Sequence, residues 1–187
     1  MQPIIRASAP KRSDPNFKKE QLMNAFRTFV AGTSLMLIAT FSVAAGKLSV
    51  EREATVDGSP DTVWKLIGDF NGLDVWHPAV TYSTMKGAGI KAGATRTLTL
   101  GNGAKIEEKL TAYSGVKHTY TYTILSSPLP VKNYVATLAL SPAGEGRTLV
   151  KWSSTFDASG ASDEEAKKVI SGIYEGGLQR AGSTLKK

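Results

Sequence analysis

The chain has 187 residues, 41% of them hydrophobic, a length that suits one domain with a core of its own. Its formal net charge is +7, but the first 45 residues hold six basic and two acidic side chains, and removing these from totals of 23 and 16 leaves 17 against 14, a net +3. A folded part so close to neutral offers phosphate backbones no strong field, which sets nucleic acid aside as a partner. The absence of cysteine excludes disulfides, thiolate nucleophiles and cysteine metal sites. His77 and His118 are too few for a histidine-built metal site, so only carboxylate ligation stays open, and we expect neither a metal nor a cofactor.

Residues 1–45 read as a leader. From Thr28 to Ala45 there are 18 residues without a charge, centred on Leu35-Met36-Leu37-Ile38-Ala39, with Arg27 before them and Ser42-Val43-Ala44-Ala45-Gly46 at the exit. A basic start, an apolar middle and small residues at the end are the three parts of a secretory signal peptide. Val43 and Ala45 suit cleavage before Gly46; Ser42 and Ala44 suit cleavage one residue earlier. The alternative is an uncleaved anchor over residues 28–45, near the short limit of a span and diluted by Thr33, Ser34, Thr40 and Ser42. Met1 to Gln21 makes an unusually long polar start, which translation from Met23 would shorten. We therefore expect a periplasmic or secreted domain over residues 46–187 that meets a membrane only through its signal segment.

Beyond the leader, strands come first and one long helix last. Leu48, Val50, Ala54 and Val56 alternate along a first strand. Ser59-Pro60-Asp61 opens a short helix, proline being preset for a first turn, with Val63, Trp64, Leu66 and Ile67 as its buried face. Gly68, Asn71 and Gly72 end it, and a second helical turn is predicted over Leu73 to Trp76. Strands are predicted over 80–86, 95–100, 104–113, 118–125, 133–140 and 148–156, with Gly101-Asn102-Gly103 as a tight hairpin signal. Such close spacing argues for an antiparallel meander. Ser162 with Glu165 makes a capping box for the last helix, along which Ala166, Val169, Ile170, Ile173, Tyr174, Leu178, Ala181 and Leu185 recur at helical spacing. Gly172, Gly176 and Gly177 within it point to close backbone approach, room for a ligand, or a kink.

This order of elements resembles the START-like (SRPBCC) helix-grip superfamily over nearly all of residues 47–187. Ser59-Pro60-Asp61-Thr62-Val63-Trp64 resembles the opening of its first helix, and Ala92-Gly93-Ala94-Thr95-Arg96 its Gly-x-x-Arg step before the third strand. Ile67-Gly68-Asp69-Phe70-Asn71-Gly72-Leu73, followed by Trp76-His77-Pro78-Ala79, is similar to bacterial polyketide cyclase/dehydrase-type members and to the exported MxaD-like proteins associated with methanol oxidation. Asn133-Tyr134 and Gly177-Leu178-Gln179-Arg180 resemble segments of plant abscisic-acid receptors. The resemblance implies an α+β helix-grip fold, in which a curved antiparallel seven-stranded sheet wraps around a long C-terminal helix, with two short helices after strand 1 and a ligand cavity inside. The loops over 100–104 and 127–131 match the receptors' two closing loops in order but not in sequence, so hormone sensing is not implied.

Within that architecture strand parity predicts the cavity lining. The ligand-binding candidates are Leu98 and Leu100; Ile106, Glu108 and Leu110; Tyr122 and Tyr134; Trp152 and Phe156; and, from the helix, Val169, Ile173 and Gly177. A filled core with no ligand is the plainer alternative. Glu108 lies between Ile106 and Leu110 on the apolar side of its strand, whereas Glu107 sits with Lys105 and Lys109 outside. A buried carboxylate is costly unless paired, hydrogen-bonded or protonated. Two readings of it stay open: a ligand anchor, as the resemblance to the receptors implies, or a structural pair with Arg96, which shares parity with Leu98 and Leu100. Glu108 and His77 are the catalytic candidates; for His77, expected near the mouth, a surface or capping role is the alternative. His118 reads as an exposed residue at a strand start.

Three functions compete. The first is an exported binding or accessory protein, MxaD-like by resemblance, holding a small apolar or amphipathic molecule and acting beside an exported oxidoreductase. The second is a cyclase or dehydratase moving protons with Glu108 or His77. The third is a lipid or quinone carrier. No nucleophile-base-orienter set stands out, which favours binding. If the leader is cleaved, N-terminal sequencing of protein recovered from the periplasm or medium will begin at Gly46 or Ala45; a product still starting at Met1 or Met23 would contradict it.

Overall fold

The computed structural model describes residues 46–186, so the leader and the signal-peptide reading lie outside the described residues. In chain order come β1 (Leu48–Asp57), α1 (Pro60–Ile67), α2 (Leu73–Trp76), β2 (Val80–Lys86), β3 (Thr95–Leu100), β4 (Lys105–Ser114), β5 (Thr119–Ser126), β6 (Val131–Pro142), β7 (Arg147–Ala158) and α3 (Asp163–Leu185). The seven strands form one sheet in the order β1-β7-β6-β5-β4-β3-β2, antiparallel throughout. The meander is broken only by β1, which pairs with β7. The helix-grip architecture implied by the element order is the one observed.

Local chemistry explains the boundaries. Ser59 is extended, and its Oγ accepts the Thr62 N–H at 3.4 Å, with Pro60 at the first helical position. Ser162 Oγ accepts the Glu165 N–H at 3.3 Å while the Glu165 carboxylate accepts the Ser162 N–H at 3.1 Å, so two otherwise orphaned donors are satisfied at the start of α3. The hairpin between β3 and β4 closes through Gly103 at φ 82°, which glycine adopts without steric cost. Irregularities at Glu107/Glu108, Leu110/Ala112 and Lys132/Val135 bend their strands, and Asn133 takes φ 52° inside the last of these.

The predicted parity sets hold. Leu98, Leu110, Tyr120, Tyr122, Ala136, Leu138, Val150, Trp152 and Phe156 are buried on one face of the sheet. Opposite them α3 buries Ala166, Ile170, Tyr174, Gly177, Leu178 and Ala181. The neighbouring helical row has a different fate: Ile173 is half-buried and Val169 is 38% exposed, because the i, i+4 row beside it meets the sheet. On the solvent edge of the same contact, Arg52 of β1 bonds Glu175 at 2.6 Å. His118 is half-buried rather than exposed; its Nε2 lies 2.9 Å from Asp61 and its ring packs on Trp64.

Leu110 is fully buried in the centre of β4, paired with Tyr122. Leu110→Ala is expected to lower unfolding free energy by about 2–5 kcal/mol in urea titration, the range for a buried Leu that leaves a void.

Candidate functional site

The core is not filled. A cavity of about 260 Å³ lies between α3 and strands β3–β7, closed on one side by α2 and the segment after it. Of the sequence candidates, Leu98, Leu100, Ile106, Glu108, Tyr122, Tyr134, Trp152, Val169 and Ile173 line it, and so does His77. Leu110, Phe156 and Gly177 do not. Leu110 and Phe156 share the right parity but are sealed into the core, Phe156 stacked against Tyr134 with ring centroids 6.1 Å apart. Gly177 lies beyond the cavity end of α3, where a Cβ would come within 2.6 Å of the His77 ring and 3.0 Å of Trp152. Its lack of a side chain serves close approach. Gly172 has open space around its missing Cβ, so the same explanation does not extend to it.

Further lining comes from Leu73, Ala79, Val80, Ile124, Leu129, Ile170 and Tyr174. Ile124 shares the parity of Tyr122 on β5, and helical spacing put Ile170 and Tyr174 on the buried stripe. Leu73, Ala79 and Val80 carry no such signal, because they enter through the packing of α2 against the sheet.

The polar end is set by strand register. Arg96 and Glu108 are direct partners across β3 and β4, and Arg96 Nε donates to Glu108 Oε2 at 2.6 Å. Arg96 Nη1 donates to the Phe70 carbonyl, and the guanidinium lies 4.1 Å over the Phe70 ring. The structural pairing of Glu108 is therefore present, and Glu108 faces the cavity as well. Burial pushes the Glu108 carboxyl above its ordinary value, and Arg96 opposes that shift. For Arg96, burial works against the charge but is outweighed by the attraction of Glu108, so the guanidinium holds its proton.

His77 does not offer a free proton carrier. The Ala79 N–H can only donate, so Nδ1 accepts it at 3.2 Å; the ring proton then sits on Nε2, which donates to the Ile173 carbonyl at 2.9 Å. The ring thus caps the end of α2 and ties it to α3. Burial lowers its affinity for a proton; the Ile173 carbonyl opposes this and the Arg96 charge adds to it.

Aromatic side chains brace the rest of the wall. Trp152 stacks on Tyr174 with centroids 4.4 Å apart, and its Nε1 donates to Tyr122 Oη at 3.1 Å. The hydroxyls of Tyr134 and Tyr174 bond each other. Burial holds all three tyrosines neutral, above the ordinary phenol range. Among the described residues no cluster of histidine and carboxylate side chains is placed to hold a metal ion.

Sheet, gripping helix and the apolar cavity between them define a helix-grip protein with room for a ligand. The chain belongs to the family described as polyketide cyclase/dehydrase and lipid transport, whose model matches residues 47–186. The structure of XoxI from Bacillus cereus is 35% identical over 73% of this chain and 94% of that one, with a TM-score of 0.69. An uncharacterized protein from Bacillus thuringiensis is 34% identical over 74% of this chain and 98% of that one, at TM-score 0.70. The Zhui aromatase/cyclase from a Streptomyces species shares the fold at 16% identity, covering 74% of this chain and 93% of that one, at TM-score 0.62. No curated protein matches.

The burial of His77 has a consequence for stability. Its proton affinity is lowered in the folded state, so below about pH 6.5 the unfolded chain takes up a proton that the folded protein refuses. Stability is expected to be full above that pH and to fall as pH drops below it. Urea titrations at stepped pH will show this decline, and His77→Gln will flatten it in that window; an unchanged slope would show that His77 is not its source.

Proposed function

We propose that the protein is an exported binding protein that holds a small, mostly apolar molecule in this cavity, as carrier or as accessory to another protein. One observation carries the reading: about 260 Å³ of space inside a folded core, walled by aliphatic and aromatic side chains with a single carboxylate among them. An apolar cavity of about 150 Å³ is enough for benzene, so two fused rings fit the present one. Ligand sites commonly begin near about 300 Å³, and the occupant is accordingly small. Family membership supports a ligand inside this fold.

Binding is favoured over proton-moving catalysis by the state of the two candidate groups. Glu108 is held by Arg96, and both ring nitrogens of His77 are already engaged. Export is part of the proposal on the strength of the leader, and partnership with an exported oxidoreductase rests on the MxaD-like resemblance alone.

Native mass spectrometry of protein purified from its own cells without denaturant is expected to reveal a noncovalent adduct. Ile106→Phe, which extends a ring into the cavity, should abolish that adduct while circular dichroism stays unchanged. An adduct that persists at full occupancy in this variant would put the ligand elsewhere and sink the proposal.

A further inference from the structure

The way Glu108 is presented to the cavity says which polar group the ligand carries, given that a ligand is held there at all. Oε2 is taken by Arg96 Nε, while Oε1 receives no hydrogen bond from the described residues and is not sealed from solvent-sized space. The compensating charge is hidden: the Arg96 side chain is fully buried, faces Phe70 and is not part of the cavity wall. Burial disfavours the charge on Glu108, but losing it would strand a buried guanidinium 2.6 Å away, and that contact favours the ionised carboxylate. The wall thus shows an anionic acceptor to the interior and keeps its cation behind it.

The other polar groups on the wall do not reverse that field. None of the lining side chains is Lys or Arg. His77 is neutral, with its one proton given to the Ile173 carbonyl. Tyr122 accepts from Trp152 and the hydroxyls of Tyr134 and Tyr174 share one hydrogen bond, so these phenols bring neutral O–H donors to the wall but no positive charge. A ligand carboxylate would leave water, find no cation and face a fixed negative oxygen. A ligand hydroxyl would instead donate to Glu108 Oε1, making a hydrogen bond to a charged acceptor in an apolar surround.

We propose that the cavity selects neutral hydroxyl-bearing molecules, alcohols or phenols with a compact apolar body, through donation of the hydroxyl proton to Glu108, and rejects the corresponding acids. Isothermal titration calorimetry with naphthalene, naphthol and naphthoate at neutral pH separates the terms, since the three share one apolar body. Naphthol is expected to bind about tenfold or more tighter than naphthalene, and naphthoate more weakly than either. Glu108→Gln leaves Arg96 uncompensated and invites misfolding, so the paired replacement Arg96→Met with Glu108→Leu is the better variant. It should keep naphthalene binding and bring naphthol to the same affinity. Equal binding of naphthalene and naphthol by the unaltered protein would overturn the selectivity while leaving the cavity a ligand site, and preferred binding of naphthoate would do the same. Failure of all three to bind would overturn the selectivity and count against the binding reading too.

Discussion

Two opposite charges inside a small sheet are tolerable only if each is placed against the other before water is lost, and the register of β3 and β4 does this for Arg96 and Glu108. Removing either ion from water costs several kcal/mol, and only close geometry with additional hydrogen bonds offsets it. Arg96 has both: Glu108 on one side, the carbonyl and ring of Phe70 on the other. Because Phe70 lies between α1 and α2, the pair also fastens the two short helices to the sheet. The same α2 is tied to α3 through His77 and the Ile173 carbonyl. Sheet, short helices and long helix are thus joined by polar contacts around the edge of the cavity.

That arrangement explains how space survives inside the core. Packed interiors ordinarily leave few voids larger than a water molecule, and side chains relax into those that form. Here the rings that could relax are held by their own partners. Trp152 is stacked on Tyr174 and bonded to Tyr122, and Tyr134 is bonded to Tyr174 and stacked on Phe156. Each hydroxyl or indole N–H that stays bonded keeps its ring from falling inward, so the aromatic wall is both apolar and stiff. The half-buried residues Leu100, Ile124, Leu129 and Ile173 then leave the opposite side accessible.

Much of the fold is legible in the chain because the physics that encodes it is local. Alternation with a period of two puts Leu98, Glu108, Tyr122 and Trp152 on one face whatever they pair with. Ser59, Ser162 and Gly103 end or begin elements by bonds and dihedrals spanning a few residues. The cavity is legible only in part. Parity treats Leu110 and Phe156 as equal to Ile106 and Trp152, yet the first two are sealed in the core and the second two border open space. Helical spacing finds an apolar stripe on α3 but not the angle at which it docks, so Gly177 lies against His77 instead of the cavity.

The sequence by itself determined that a meander of inward-facing apolar residues ends in a capped amphipathic helix, and that one strand buries a carboxylate among them. Those properties follow from neighbours within a few positions. Tertiary structure alone decided what the carboxylate meets, that His77 spends both nitrogens on backbone groups as far away as Ile173, and that unfilled space of about 260 Å³ remains. Periodicity reports which way a side chain points; pairing and void depend on what arrives opposite it, and that is set only when distant segments close on one another.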